Sequence, residues 1–476
     1  MSRLAVLMDG RLMGWVAQDK GTLSFTYDDR WRMAEGAYPL STAMPLVAEQ
    51  YGDRQVSKFL WGLLPDNDLV LQRWARRFGV SPRNPFALIA HVGEDCAGAA
   101  QFIPEDRLEA FLQETGDNAV EWLTETNIGE RLRVLANDAS AGRTARDTGQ
   151  FSLAGAQPKT ALHYSDGRWG IPHGRVPTTH ILKPPTGEFD GFAENEHLCL
   201  RLAASLGLPT ARSEIKVFGD QTAIVVERYD RQRTSDAVRD QLRAAETIEA
   251  KARTSIEASD PANADLLHRR AARLRTSAQM LYKTATVSVL RVHQEDMCQA
   301  LNVHPANKYQ NFGGPGPQQI IRHLRNLNSA SETGEADVSR FVDALIFNWL
   351  IGGTDAHAKN YSILIGNGGR TRLAPLYDMA SILAYDDHDP RKIALAMKIG
   401  DQYRLSKIKG AEWFKFAAEN RLEGEQVIGR IRNLAMRLPD LLSREISRME
   451  QDGIAHPAIC TLQAALTDRA KLAMKF

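Results

Sequence analysis

Residues 341–378 leave this chain few ways to fold. Phe341 to Ile351 is an apolar run broken only by Asp343 and Asn348. It is too short to cross a bilayer and predicts a buried core helix. The polar stretch Thr354-Asp355-Ala356-His357-Ala358-Lys359-Asn360 follows. It leads into a strand over Tyr361 to Ile365, a turn at Gly366-Asn367-Gly368-Gly369 and a second strand over Arg372 to Leu376. A second acid, Asp378, comes directly after, in Leu376-Tyr377-Asp378-Met379. Helix, polar loop and hairpin in that order carry two acids and an amide to one place.

That order suits phosphoryl transfer: one Asp accepts a hydroxyl proton, an Asn holds a metal, and a hairpin returns a second Asp to the same metals. The spacing from Asp355 to Asn360 equals that of the protein-kinase catalytic loop H-R-D-x-x-x-x-N. Asp378 stands where the D-F-G acid would, although Met379 and Ala380 follow it. Mg²⁺ prefers hard oxygen ligands while keeping several waters, and Asp and Asn supply such oxygens. Taken separately, Asp355 and Asp378 read equally as capping or turn carboxylates. His357 has no H-x-x-x-H partner, which argues against zinc.

Three upstream segments fit the same chemistry. Ser152-Leu153-Ala154-Gly155-Ala156-Gln157-Pro158-Lys159-Thr160 is a loop of small residues between two apparent strands. It reads as an ordinary turn or as a phosphate-approaching loop with a lysine, but not as a Walker A motif. Lys183 ends an apolar strand and precedes a helix carrying Glu194 and Glu196. That is the kinase arrangement for gripping phosphates; the alternative is a surface lysine with its stem on apolar neighbours. Glu227-Arg228-Tyr229-Asp230 closes the strand Ala223 to Val226, either as a hinge meeting an adenine or as a charged strand end.

The pattern divides the 476 residues into a small α+β domain over 1–115, a polar, Arg-rich connector over 116–150 and a β-rich unit around one helix over 151–231. A helical hairpin is expected over 232–283, with Leu242, Ile248, Ile256, Leu266, Leu267, Leu274 and Leu281 near helical spacing. A mainly helical remainder over 284–476 has one strand-turn-strand interruption. The hairpin reads as a solvated excrescence or a partner-binding arm. With 59 Lys plus Arg against 58 Asp plus Glu, the net charge of +1 excludes a strongly basic nucleic-acid carrier and an acidic disordered chain. The four scattered cysteines form no CxxC pair, and Arg3, Asp9 and Arg11 interrupt any signal-peptide core. A soluble, cytoplasmic protein is the expectation.

Together these segments resemble the HipA family of serine/threonine kinase toxins from bacterial toxin–antitoxin systems. The likeness runs in order through Ser152 to Thr160, His180-Ile181-Leu182-Lys183-Pro184, Glu194-Asn195-Glu196 and Glu227-Arg228-Tyr229-Asp230-Arg231. It continues through Gln294-Glu295-Asp296-Met297, Gly313-Gly314-Pro315-Gly316, Thr354 to Asn360 and Tyr377-Asp378. The resemblance implies an α+β chain: a two-lobed protein-kinase-like fold with a mainly helical C-terminal lobe, preceded by a small α+β N-terminal domain. It implies ATP and Mg²⁺, with Asp355 as catalytic base, Asn360 and Asp378 holding metal, and Lys183 on the phosphates. Glu227 and Tyr229 would line the adenine site, with His357, Lys359 and Tyr377 near the nucleotide. Ala154, Gly155, Ala156, Gln157, Pro158 and Lys159 would form the phosphate loop, and Ser152 would be autophosphorylated.

The resemblance further implies a protein substrate, notably an aminoacyl-tRNA synthetase, and inhibited translation. It implies a HipB-like helix-turn-helix antitoxin as partner, DNA reached only through that antitoxin, and no membrane. The hairpin over 232–283 departs from the shorter family pattern, and Pro158 fills a variable loop position that its fixed φ stiffens. Two other readings stand beside the kinase: a kinase-like scaffold subunit of a DNA-bound repressor, and a small-molecule kinase sharing the Asp–Asn–Asp logic.

Overall fold

The computed structural model describes residues 2–8, 10–113, 119–138, 152, 155, 157–185, 189–257, 260–284, 288–327, 333–385 and 389–476. The N-terminal domain is built on an antiparallel five-stranded sheet. Its order is Gln50–Gly52, Thr22–Tyr27, Arg11–Asp19, Ser2–Met8, Gln101–Pro104. The first strand shows why both faces are covered. Leu4, Val6 and Met8 point into the main core, while Leu7 points the other way onto Ile103 and Phe111. Pro65-Asp66-Asn67 separates the helices Asp53–Leu63 and Asp68–Phe78, as the breaker residues predict. The Asn67 side chain caps the second helix by accepting from Leu69 N and Val70 N.

A six-stranded antiparallel sheet forms the next lobe, ordered Ser213–Phe218, Gln221–Glu227, His180–Lys183, Thr160–Ser165, Arg168–Pro172, Val120–Leu123. Alternation along Gln221–Glu227 sends Ala223 and Val225 to one face and Ile224 and Val226 to the other. The first face is closed by the helix Glu125–Asn137 through Ile128 and Leu132. The expected connector over 116–150 is therefore corrected where it is described: residues 120–137 are an edge strand and a covering helix. Their narrow apolar stripe of Ile128, Leu132 and Leu135 is diluted by polar neighbours, and a Thr124–Asn127 capping box starts the helix.

The second face joins the C-terminal core. The helix Phe192–Ser205 supplies Leu198, Leu202 and Ala203 to the same cluster as Phe341, Phe347 and Leu350 of the helix Thr333–Ile351. The C-terminal lobe is mainly helical, but its sheet is larger than the single expected interruption. His293–Asp296 adds a third strand beside Ser362–Gly366 and Arg370–Leu373, and Ala394–Ile399 pairs with Gln402–Arg404. Among the described residues, no helix is long and apolar enough to cross a membrane.

The hairpin consists of the helices Thr234–Glu257 and Pro261–Thr284, rooted on paired strands Arg231–Arg233 and Val289–Arg291. Its seam is alanine rather than the expected leucine stripe. Ala237, Ala245, Ala252, Ala264, Ala271 and Ala278 are buried, whereas Leu242 and Leu266 are exposed. Small side chains near heptad spacing let the two helices pack closely, which a search for large apolar residues overlooks.

One buried charge cluster joins these parts. Asp95 of the N-terminal domain accepts from Arg231 Nη2 at 2.8 Å, Arg291 Nε at 3.2 Å and the Thr178 hydroxyl at 2.6 Å. Arg228 grips Asp230 at 2.9 and 3.0 Å, and Gly98 N donates to Asp230 at 2.7 Å. Burial opposes ionisation, but the arginines hold both carboxyls below the usual range. We expect Asp95→Ala to lose about 3–5 kcal/mol of stability at neutral pH, because it strands buried guanidinium groups. A depressed folded-state value makes this stabilisation complete above the unfolded-state value of about 4 and lost as pH falls below it. Denaturant melts of both proteins across that range should therefore converge on acidification.

Candidate active site

The loop after Thr333–Ile351 is shaped by its glycines and by Asn360. Gly352 ends the helix at φ 66°, and Gly353 N donates back to Asn348 O at 2.8 Å. Asn360 Nδ2 donates to the Asp355 carbonyl at 2.7 Å, closing the loop onto itself before the strand Ser362–Gly366. The hairpin then returns the chain, and Leu376 N donates to Pro209 O at 2.8 Å. Asp378 adopts φ 52°, a left-handed backbone uncommon outside glycine, which fixes where its carboxylate emerges.

Lys183 meets Asp378 from across the cleft. Its Nζ donates to Glu196 Oε1 at 2.7 Å and also to Asp378 Oδ1. Of the two helix acids considered, Glu196 is the buried partner. Burial opposes these charges; the Asp378 and Glu196 carboxylates nonetheless push Lys183 up, and Lys183 and Lys159 hold Asp378 down, while for Glu196 burial prevails and pushes its carboxyl up. Burial pushes Lys159 down, with Lys183 adding to the effect.

These residues line a cleft of about 890 Å³ between the lobes, which also includes Gly155, Gln157 and Pro158. Glu227, Tyr229, Asp355, His357, Lys359, Asn360 and Tyr377 line it as well. Tyr377 Oη donates to Lys359 O at 2.7 Å, and its ring lies 5.5 Å from that of Tyr229. Ala154 and Ala156 lie outside the described residues. Ser152 is fully buried and away from the cleft: its Oγ donates to Leu63 O at 2.7 Å, and its N donates to Asp95 O at 3.0 Å. The arginines and Asp230 of the segment 227–231 serve the interdomain cluster. The Gln294-Glu295-Asp296 segment is largely structural, since Glu295 accepts from Ser41 Oγ and Thr42 N and Asp296 caps the helix Met297–Ala300.

Asp66 and Lys308 of the cleft, and Tyr309 beside it, belong to no motif recognised in the sequence. Asp66, expected only as part of a helix break, accepts from Lys359 Nζ at 2.6 Å and Lys308 Nζ at 2.8 Å. Burial works against its charge, but the two lysines hold its carboxyl below the usual range. Tyr309 donates its hydroxyl to Asp355 Oδ1. For Tyr309, the glycine segment Gly313 to Gly316 nearby is the signal that could have found it, since glycines mark a chain that must turn tightly.

The donor set fits a hard divalent cation. Asn360 uses its amide nitrogen on the loop, leaving its oxygen, and Asp378 has one oxygen beyond the one Lys183 holds. No group of three or more His, Cys, Asp or Glu suited to a metal occurs among the described residues. Two oxygen ligands beside polyphosphate is the usual demand of Mg²⁺, not of zinc.

A β-rich lobe offering Lys183, a helix offering its acid, and a helical lobe offering an acid–amide loop and a second acid define a two-lobed protein-kinase-like fold. Comparison with known proteins agrees. The HipA N-terminal domain model matches residues 4–103, and the HipA-like C-terminal domain model matches residues 151–442. The Y4mE protein of Sinorhizobium fredii is 34% identical over 98% of each chain. The serine/threonine-protein kinase toxin HipA of Shewanella oneidensis is 28% identical over 93% of this chain and 88% of its own. A solved Shewanella oneidensis complex of HipA, HipB and operator DNA superposes with a TM-score of 0.73 at 25% identity, covering 98% of this chain and 96% of that one. The chain belongs to the HipA family.

Asp66→Ala should leave Lys308 and Lys359 without their shared carboxylate. We expect a loss of about 3 kcal/mol in chemical denaturation, with the N-terminal domain losing its hold on the cleft. Asp66→Asn, which keeps the shape but not the charge, should recover only part of it.

Proposed function

We propose that this protein is a Mg²⁺-ATP-dependent serine/threonine protein kinase and the toxin of a toxin–antitoxin pair. The observation that carries the reading is Lys183, braced by Glu196 and facing Asp378, in the cleft that also holds Asp355 and Asn360. Asp355 takes the proton of the acceptor hydroxyl as that oxygen attacks the γ-phosphorus. Lys183 holds α- and β-phosphate oxygens, and Lys159 and Lys359 add positive charge nearby. Asn360 and Asp378 would hold the metal; bound Mg²⁺ would neutralise developing charge on the phosphate oxygens. Gly155, Gln157, Pro158 and Lys159 line the phosphate side, and Glu227 and Tyr229 the adenine side.

Family membership supports a protein target. An aminoacyl-tRNA synthetase, stalled translation and a cytoplasmic setting follow from the resemblance. The solved relative bound to HipB and operator DNA supports a HipB-like antitoxin, with DNA reached through it. The net charge of +1 agrees, since autonomous DNA binding draws on a basic surface. The loop motif supports autophosphorylation at Ser152. Phosphate there adds about −1.5 to −2 charge beside the Leu63 and Asp95 carbonyls, so the modified loop must leave that pocket.

Labelled ATP tests the reading. Wild type should incorporate phosphate, with Ser152 among the mapped sites. Asp355→Ala should lose about a hundredfold or more of the rate. Equal incorporation by both proteins removes Asp355 from the mechanism; nucleotide binding without transfer to any protein favours the scaffold reading.

A further inference from the structure

The hydroxyl that meets Asp355 belongs to the protein itself. The Asp355 side chain is 69% exposed at the mouth of the cleft. Its Oδ1 accepts from Tyr309 Oη, while His357 Nε2 stands 3.8 Å away and Asn360 binds the Asp355 carbonyl instead. A hydroxyl donating to Oδ1 of the carboxylate that would take an acceptor's proton stands at one of the two oxygens the acceptor would use.

The main chain around Tyr309 is held from several sides. Gly314 N donates to Tyr309 O at 2.9 Å, Ala358 N of the catalytic loop donates to Lys308 O at 3.3 Å, and Lys398 N donates to Gln310 Oε1 at 2.8 Å. The glycines make this possible. A Cβ on Gly314 would collide with the Asn307 carbonyl oxygen, and one on Gly316 with the Gln310 amide. The segment Gly313-Gly314-Pro315-Gly316 thus gains a purpose: it folds the chain back so that the Tyr309 ring stands over the loop. That ring meets the His357 ring edge-on at 4.9 Å and the Phe312 ring at 6.3 Å. With its backbone clamped, Tyr309 leaves Asp355 by side-chain rotation. Burial, and then the Asp355 carboxylate, push its hydroxyl up, so it stays a donor at ordinary pH.

We infer that Tyr309 is a positioning residue that keeps the acceptor seat on Asp355 filled until a protein Ser or Thr hydroxyl displaces it, so that water does not use the bound ATP. The inference rests on the kinase reading above. The side reaction it blocks is hydrolysis. A water oxygen would bond to the γ-phosphorus, its proton would pass to Asp355, and the bond to the ADP oxygen would break, releasing ADP and inorganic phosphate. A phenol hydroxyl is well suited to the task, because it fills one water site and its stiff ring cannot follow the substrate into the cleft.

The test is Tyr309→Phe in the full chain, which keeps the ring and opens a space the size of one hydroxyl. With Mg²⁺-ATP and no acceptor, ADP release should rise at least about fivefold over wild type. The calorimetric affinity for Mg²⁺-ATP should stay the same, which also reports correct folding. Adding Asp355→Asn should abolish the gain. Unchanged ADP release with intact nucleotide binding overturns the inference while leaving the kinase reading standing. Phosphate mapped on Tyr309 of the wild type overturns it too, because the residue is then an acceptor. A wild type that transfers phosphate to no protein, itself included, removes the kinase reading and this inference with it.

Discussion

The Asp95 cluster sets the geometry on which the cleft depends. One carboxylate on the N-terminal domain is shared by Arg231 and Arg291, while Arg228 and Arg231 also reach the Cys96 carbonyl and Asp230 reaches Gly98 N. Arg228 and Arg231 flank the strand end that leads from the β-rich lobe towards the hairpin, and Arg291 lies on the strand that returns from it. The same few hydrogen bonds therefore seat the N-terminal domain, fix the crossing between lobes and close the base of the hairpin. Buried pairs of this kind stabilise little against an apolar alternative, but they tolerate few other arrangements. Their value here is angular: Arg228 and Asp230, locked to each other on either side of Tyr229, fix the backbone from which that ring meets the cleft.

What the sequence made legible was local. The apolar helix, the Asp355–Asn360 spacing, the hairpin and Asp378 are consecutive, and each has a periodicity or turn signal of its own. Lys183 and Glu196 were legible for the same reason, thirteen residues apart on a strand and the helix after it. Contacts between distant segments were not. Asp66 lies 293 residues from Lys359, and nothing around Pro65-Asp66-Asn67 distinguishes a cleft residue from a helix break. Tyr309 lies 46 residues before Asp355. The alanine seam of the hairpin and the helix Glu125–Asn137 escaped for a different reason. Both bury small or widely spaced apolar groups, and composition then reads as solvated surface.

Asp66 changes what the N-terminal domain is for. A small domain docked on a two-lobed enzyme could be a passive attachment, held by surface contacts remote from the chemistry. Here its loop enters the cleft. Pro65 bridges to Gly155 of the small-residue loop, Asp66 N donates to Gly155 O at 3.3 Å, and the Asp66 carboxylate holds two lysines of the opposite lobe. Leu63, three residues earlier, accepts the Ser152 hydroxyl.

Ser152 at the start of the small-residue loop and Gly155 within it are thus both held by residues 63–66 of the N-terminal domain. Electrostatics links the two sides further. Lys359 is already balanced by Asp66, and Lys183 by Glu196 and Asp378, so on the kinase reading a polyphosphate entering the cleft would meet cations that have partners. Its charge is accommodated only if carboxylates gain a cation or move away. On the kinase reading, a cation held by the free oxygens of Asp378 and Asn360 would supply the first. Asp66 holds Lys308 and Lys359 from the N-terminal domain, whose Leu63 carbonyl also accepts the Ser152 hydroxyl.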